Sequence, residues 1–371
     1  MPHYLWQNHN WANFRWDTDR LLTPLGDCRL LQGKLLSTVA SLGFSLESQA
    51  EILIEETVKT AAIEGEQLDA RTVRSSVARR LGLPGGGVTA DRSVDGLITV
   101  LLDATRDHGA PLTAERLCGW HAALFPTGFS GMHRIRVGEW RGDAPMQVVS
   151  GPVGRETVHF EAPPFTRVPD EMAAFLEWWC DSSGTVEGLI RAAVAHFLFV
   201  TIHPFEDGNG RLARALTDLA LAQDDGQVMR YYSLSAQIMA ERDAYYDVLE
   251  RCQKGDGDLT EWLLWFLGCF SRAIVRSETL LNTVLDKAAF WRRHGHAALS
   301  DRQKKVINRL LDAGKGGFEG GLTNRKYASM TGVSRATAFR ELEALRDMGV
   351  ICQEGGGRNI RYVLEWAMAE S

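Results

Sequence analysis

Several features that define common protein classes are missing from this 371-residue sequence. Its six cysteines lie far apart, with no CxxC pair and no Cys/His cluster at zinc-ligand spacing, which argues against a zinc site and a disulfide framework. Residues 1–17 contain no apolar core of a secretory signal. The most apolar stretches, 192–202 and 262–270, are shorter than the roughly 18 residues that span a bilayer. We therefore expect a cytoplasmic protein with reduced thiols and no membrane contact.

The sequence also has no large excess of positive or negative charge. The formal net charge is −6, from 41 Lys and Arg against 47 Asp and Glu, which excludes a histone-like chain that coats nucleic acid along its length. Residues 300–371 differ from this average, because their 12 Lys and Arg against 9 Asp and Glu give +3 and leave −9 for the first 299 residues. A chain this long predicts two or three domains, and local nucleic-acid contact through the tail stays open.

Helical spacing of apolar residues dominates the first 294 positions. It predicts helices over 50–63, 70–81, 92–105, 113–124, 170–182, 188–202, 212–222, 241–253 and 261–294. Residues 137–164 differ, because short apolar stretches flank a Gly/Pro turn there and predict a β-hairpin.

The C-terminal segment has a pattern of its own. A short helix over 324–330 and a helix over 335–348 precede two strands at 349–352 and 360–363. Helix, glycine-containing turn, helix and a two-stranded wing predict a winged helix-turn-helix. Acidic side chains dilute its basic surface, so contact with protein and contact with DNA are both open. The basic side chains that could reach phosphates are Arg335, Arg340, Arg346, Arg358 and Arg361.

One segment, HPFEDGNGRLAR at residues 203–214, combines groups that handle phosphates. Two glycines around Asn209 let backbone amides approach a ligand closely, and the loop leads into a helix N-terminus, which attracts anions. Arg211 and Arg214 are three residues apart and can both reach phosphate oxygens, while Asp207 is a carboxylate that can hold Mg²⁺. The segment predicts a phosphate site with its own base, although it lacks the P-loop pattern.

These twelve residues resemble the signature of the Fic domain, His-Pro-Phe-x-Asp-Gly-Asn-Gly-Arg-x-x-Arg, at every defined position. Fic proteins are mostly protein adenylyltransferases, which move AMP from ATP to a Ser, Thr or Tyr hydroxyl of a target protein. The glycine at position 208 favours AMP transfer over the phosphorylation of the Doc-type branch. The resemblance implies His203 as general base, Asp207 as Mg²⁺ ligand, Gly208, Asn209 and Gly210 as phosphate contacts, and Arg211 and Arg214 as ligands of the β- and γ-phosphates.

Two further segments extend this resemblance. Residues 146–164 resemble the family's flap hairpin, which aligns the target backbone by strand addition. Residues 235–246 resemble the region that flanks the adenine, and we predict a nucleotide contact at Tyr245. Glu241 stands where the family often has Asn, so no contact is predicted there.

Upstream, Thr60 to Gly65 resembles the inhibitory motif Ser/Thr-x-x-x-Glu-Gly/Asn of Fic proteins that carry their inhibitor before the catalytic core. The Glu64 carboxylate can pair with Arg214, which removes that arginine from the ATP γ-phosphate. The resemblance thus implies an inhibitory role for Glu64. In some Fic enzymes this glutamate positions water to remove AMP, so hydrolytic de-AMPylation is an alternative.

Together these patterns predict a mainly α protein with a Fic helical core, a small β-hairpin flap, an N-terminal helical domain and a C-terminal winged helix. The expected boundaries are 1–90, 91–270, a helical linker at 271–298, and 299–371. The expected function is autoinhibited AMP transfer from ATP, with Mg²⁺, to target proteins and to the chain itself. The alternative from another class is a DNA-binding regulator whose Fic core senses nucleotide. The resemblance also allows a homodimer.

Overall fold

The computed structural model describes residues 4–42, 46–84, 89, 91–150, 155, 157–295, 297–314, 318, 320–356 and 360–365. The described residues are mainly helical with three small antiparallel strand pairs, which confirms the predicted fold class. The chain divides into two compact units, Met1–Ser277 and Glu278–Ser371. The finer domain boundaries stay predictions.

Most helices of the first unit begin and end close to the predicted positions, whereas no helix bounds were predicted for 18–42 and 234–240. In α3, for example, the Asp69 side chain accepts a hydrogen bond from the Thr72 backbone at 3.2 Å, and Gly82 ends the helix in the left-handed conformation at φ 71°. The bounds are α1 (Thr18–Leu42), α2 (Leu46–Ile63), α3 (Ala70–Leu81), α4 (Arg92–Arg106), α5 (Ala114–Leu124), α6 (Val168–Asp181), α7 (Gly188–Ile202), α8 (Asn209–Asp225), α9 (Leu234–Ala240), α10 (Arg242–Gln253) and α11 (Thr260–His294), which continues into the second unit.

The core of the first unit is built around α7. Every side chain from Leu189 to Ile202 is buried, which explains why this helix has an apolar sequence on all its faces. It packs along α8, whose side chains are also buried from Arg211 to Ala222. The loop 203–208 therefore connects two helices that are both buried in the core.

Short strands accompany the helices. The pair β3 (Gln147–Ser150) and β4 (Thr157–Glu161) is antiparallel with a register irregularity between Val148 and Val149, and it confirms the predicted hairpin strands. The turn predicted between them, at 151–154, lies outside the described residues. The two-residue strands β1 (Phe129–Ser130) and β2 (His133–Arg134) have no alternating pattern and were not predicted from the sequence.

The second unit contains the expected order of elements. They are α12 (Asp301–Asp312), α13 (Asn324–Thr331), α14 (Arg335–Asp347), β5 (Ile351–Glu354) and β6 (Arg361–Leu364), with the two strands antiparallel. Buried side chains of all five elements share one apolar core. Assignment as a winged helix stays a prediction, and Arg358 lies outside the described residues. Among the helices that the structure describes, none has the length and apolarity needed to cross a membrane.

Candidate active site

His203 ends α7 in the left-handed backbone conformation, at φ 53° and ψ 60°. This conformation is uncommon for a residue with a side chain, and it turns the chain directly into the loop. The Nδ1–H donates to the carbonyl of Val200 at 3.1 Å, so Nε2 is the nitrogen that can accept a proton. Burial lowers the pKa of His203, and the nearby Arg141 guanidinium lowers it further. The imidazole is therefore neutral at pH 7 and can act as a base.

The loop that follows is shaped by Asn209. Its side-chain oxygen accepts from the Phe205 backbone N–H at 3.0 Å, and its amide donates to the Phe205 carbonyl at 2.8 Å. This closed pair of bonds explains why the Asn209 side chain is buried. Gly208 caps α8 at φ 79°, where a Cβ would also lie 2.9 Å from the Phe125 ring. The glycine and the asparagine thus hold the loop in shape at the positive end of the α8 dipole.

Asp207 presents its carboxylate beside that helix end. One oxygen accepts from the Gly208 backbone N–H at 2.6 Å, and the other accepts from the Ser130 hydroxyl. The side chain keeps 39% exposure, and the Arg211 guanidinium lies 3.9 Å away. Among the described residues, no group of three or more His, Cys, Asp and Glu side chains converges into a metal cage. Asp207 therefore offers a single accessible carboxylate.

Arg214 forms an ion pair with Glu64, which lies 150 residues earlier in the sequence. The Nη2 of Arg214 lies 2.8 Å from Glu64 Oε1, and the arginine side chain is only 2% exposed. Thr60 holds the same guanidinium twice, through its hydroxyl at 2.6 Å and its carbonyl at 2.9 Å. Although burial opposes the charge, the Glu64 carboxylate raises the pKa of Arg214, so the guanidinium stays charged. The contact expected between Glu64 and Arg214 is thus present.

Gly210 and Arg211 complete the first turn of α8. A Cβ at Gly210 would lie 2.9 Å from Glu64 Cδ, so only glycine leaves room for this carboxylate. Arg211 donates to Glu66 Oε2 at 3.1 Å, and its guanidinium lies over the Phe125 ring at 4.9 Å. Both arginines of the motif therefore contact a glutamate from the segment that follows α2.

Tyr245 lies behind Arg214 and is buried. Its hydroxyl bonds to His196 Nε2 at 2.8 Å, and His196 Nδ1 bonds to the Thr217 hydroxyl at 2.9 Å. Because the Thr217 hydroxyl donates to the Ala213 carbonyl, His196 must donate from Nδ1 and accept from Tyr245. Burial lowers the pKa of His196 to about 3, so it is neutral. This arrangement connects Tyr245 to the helix that carries the motif, and its predicted nucleotide contact stays a prediction.

Two residues that no sequence motif singles out support the loop. Arg141 is buried and donates from Nε to the His203 carbonyl at 2.8 Å and from Nη2 to the Pro163 carbonyl, and so connects the loop to the end of the hairpin. His121 stacks on Phe205 at 4.2 Å and accepts the Gly138 N–H at 3.0 Å. Neither belongs to a recognisable motif, so only the fold identifies them.

Comparison with protein families assigns this site to a class. Residues 111–221 match the Fic/DOC family, and this part of the chain is a Fic domain. Residues 4–83 match a domain of unknown function, DUF4172. The Fic match includes His203, Asp207 and both motif arginines.

Particular relatives are named protein adenylyltransferases. The chain is 28% identical over 166 residues to protein adenylyltransferase fic-1 of Caenorhabditis elegans, covering 44% of this chain and 30% of that protein. It is 25% identical over 231 residues to protein adenylyltransferase Fic of Nematostella vectensis, covering 60% and 48%. The probable protein adenylyltransferase aq_aa38 of Aquifex aeolicus is 31% identical over 85 residues, covering 23% and 26%. The chain spans less than half the length of each of these relatives.

Solved structures agree on the fold. A Fic family protein from Desulfovibrio desulfuricans superposes with a TM-score of 0.56 at 20% identity, covering 93% of this chain and 95% of that one. A Fic domain containing signaling protein from Bacteroides thetaiotaomicron gives 0.51 at 20% identity, covering 71% and 98%. These identities support the shared fold and nothing finer.

Proposed function

We propose that this chain is a protein adenylyltransferase that is held inactive by Glu64. The observation that carries the proposal is the contact between the Glu64 carboxylate and the buried Arg214, at 2.8 Å, in a Fic domain whose motif is complete. The names of the relatives support the AMP-transfer chemistry. The chain itself supplies a base, an anion-binding loop and a carboxylate that stands where a phosphate would bind.

His203 is the proposed general base. Its Nε2 takes the proton of a target Ser, Thr or Tyr hydroxyl while that oxygen attacks the α-phosphorus of ATP. The new oxygen–phosphorus bond forms as the bond from the α-phosphorus to the bridging oxygen breaks, and pyrophosphate leaves. The neutral imidazole, with Nδ1–H fixed on Val200, supports this role because Nε2 is ready to accept.

The loop and α8 are the proposed nucleotide site. Backbone N–H groups at residues 208–210 and the α8 N-terminus favour phosphate, while Arg211 and Arg214 neutralise the β- and γ-phosphates. The site fits Mg²⁺, because Asp207 offers one half-exposed carboxylate and Mg²⁺ commonly combines one or two carboxylates with substrate phosphates and water. When bound with ATP, the ion would neutralise phosphate charge, and Asp207 would hold it.

Glu64 inhibits in this proposal by competing with the γ-phosphate. Its carboxylate accepts a hydrogen bond from Nη2 of Arg214 and places a negative charge beside the phosphate loop, so ATP binds weakly. Exposure of the Glu64 side chain is 29%, against 2% for Arg214, so the glutamate is the partner that can leave.

The test is transfer of label from α-labelled ATP to the chain itself. We expect Glu64→Gly to raise self-labelling at least tenfold, and His203→Ala to abolish it in the same background. Glu51→Gln is the matched control, since Glu51 lies on α2, the helix that precedes Glu64, and pairs with Arg74 on the surface. Equal labelling of wild type and Glu64→Gly would show that Glu64 is no inhibitor. Labelling that persists in the His203→Ala variant would show that His203 is not the general base.

Hydrolytic de-AMPylation is the second candidate. The Glu64 carboxylate raises the pKa of His203 electrostatically, against the lowering by burial, so its charge acts on the base as well as on Arg214. In this alternative the wild type, and not Glu64→Gly, releases AMP from the labelled chain. Mixing wild type with pre-labelled Glu64→Gly protein separates the two reactions.

A DNA-binding regulator is the alternative for the tail. Arg335 and Arg340 are exposed on α14, which begins after the capping Ser334. A salt-dependent mobility shift with the full chain distinguishes this role from presentation of a protein target.

A further inference from the structure

The turn that follows α2 presents two glutamates, not one. The backbone N–H of Glu64 donates to the Ala61 carbonyl at 3.1 Å, and that of Glu66 donates to the same carbonyl at 3.1 Å. Gly65 between them has φ 85°, which the turn requires. The two carboxylates therefore flank a glycine in a hydrogen-bonded helix end, and their separation is fixed by the backbone.

The two arginines of α8 match this pair. Glu64 contacts Arg214 at 2.8 Å, and Glu66 contacts Arg211 at 3.1 Å. Residues i and i+3 on a helix are neighbours, so the arginines also lie side by side. Each glutamate has its own arginine, although the recognised inhibitory motif assigns a role only to the first.

The Arg211 contact is not an ordinary surface ion pair. The arginine side chain is 9% exposed and lies over the Phe125 ring at 4.9 Å, whereas Glu66 is 42% exposed. The Arg211 Nε is buried without a hydrogen-bond partner among the residues that the structure describes. The guanidinium is thus fixed in place with donor capacity to spare, and Glu66 is the partner that can move away.

We propose that Glu66 is a second blocking carboxylate, which competes with the nucleotide β-phosphate at Arg211 as Glu64 competes with the γ-phosphate at Arg214. The inference rests on the proposed function, because it takes the two arginines as phosphate ligands. It makes Glu66 a determinant of nucleotide affinity that acts on any nucleotide carrying a β-phosphate. Glu64 then acts chiefly on nucleotides that also carry a γ-phosphate.

The two carboxylates are therefore distinguishable by the number of phosphates on the ligand. Removing the charge of Glu66 strengthens the binding of ADP and ATP equally and leaves AMP unchanged. Removing Glu64 strengthens the binding of ATP more than that of ADP. A general loosening of the loop would alter all three nucleotides together.

The experiment measures dissociation constants by calorimetry with Mg²⁺ present. All proteins are full-length and carry His203→Ala, so that no AMP is transferred. The set is the parent, Glu64→Gly, Glu66→Gln, both together, and Glu51→Gln as a control for the loss of one surface charge. Thermal melting of each protein checks the fold, and Glu66→Gln is conservative because the side chain is partly exposed.

We expect Glu66→Gln to tighten ADP and ATP by roughly fivefold, the upper range for a partly exposed ion pair. AMP affinity should stay within twofold of the parent. The inference is overturned if Glu66→Gln leaves ADP unchanged while Glu64→Gly tightens ATP, and the proposed function then still stands. If Glu64→Gly fails to tighten ATP, the proposed inhibition by Glu64 is itself wrong. Equal tightening of AMP, ADP and ATP by Glu66→Gln also overturns the inference, since it indicates loosening.

Discussion

Gly210→Ala should change the stability of this protein in opposite directions, depending on whether Glu64 is present. Helix propensity alone predicts that Ala at this position stabilises by up to about 1 kcal/mol, because glycine loses more backbone entropy on folding. The structure predicts the reverse in the wild type. A Cβ at Gly210 would lie 2.9 Å from Glu64 Cδ and closer still to Oε1, so the carboxylate must leave Arg214.

The magnitude follows from the burial of Arg214. Its side chain is 2% exposed, and losing a charge-assisted hydrogen bond to such a group costs about 1.5–3 kcal/mol. Set against the propensity gain, Gly210→Ala should destabilise the wild type by about 1–2 kcal/mol. In Glu64→Gly protein the contact is already absent, so Ala should stabilise by about 0.5–1 kcal/mol. The nearby Arg214 Nη1, 3.2 Å from the new Cβ, needs to move only slightly.

The assay is a double-mutant cycle on the unfolding free energy of wild type, the two single variants and the double variant. Denaturant titration gives each free energy, and thermal melting offers a second reading. Activity is unsuitable here, because the same Cβ faces the proposed phosphate site. If Gly210→Ala has the same sign in both backgrounds, the packing of Glu64 over Gly210 does not contribute as argued.

Two further predictions concern the residues that support the loop. Arg141→Lys should lower self-labelling in the Glu64→Gly background at least tenfold, because one ammonium cannot replace the guanidinium that donates to both the His203 and the Pro163 carbonyls. Initial rates of self-labelling measure this effect, and an unchanged rate in a folded protein contradicts it. Burial lowers the pKa of His121 to about 4, below the 6.5 of an unfolded histidine. The unfolded chain therefore takes up the proton first, and the contribution of His121, about 3 kcal/mol, is present above pH 6.5 and lost as the pH falls towards 4. Unfolding titrations from pH 7 to 4 should be less steep for His121→Gln than for wild type, and parallel curves would refute the argument.

Much of this architecture was predictable because its signals are local. Apolar spacing predicted α3 and α7, and residues 203–214 lie within one loop and one helix, so their grouping needs no tertiary knowledge. The predicted hairpin strands also depend only on neighbouring residues.

The site residues that could not be predicted from the sequence depend on contacts between distant segments of the chain. Arg141 reaches His203 across 62 residues, and no spacing rule selects one buried arginine from the rest. Ser130 reaches Asp207 from a two-residue strand that is too short to show alternation. Glu66 was visible in the sequence, but its meaning required knowing that Glu64 and Arg214 meet, since only then does the second glutamate fall opposite Arg211.

The contacts that hold α2, the helix that directly precedes Glu64, also indicate how the proposed inhibition would be relieved. Glu56 and Thr60 lie four residues apart on one face of α2, and Glu64 lies in the turn directly after the helix. Glu56 accepts hydrogen bonds from Ser233 Oγ at 2.8 Å and from the Ser235 backbone at 3.1 Å, and buried apolar side chains hold the same helix in the core. Withdrawing α2 would break all of these contacts, whereas rotating the Glu64 side chain breaks one ion pair, because Thr60 still holds Arg214. Relief by side-chain rotation therefore costs far less free energy than displacement of the helix, and it leaves Arg214 in place to receive a phosphate.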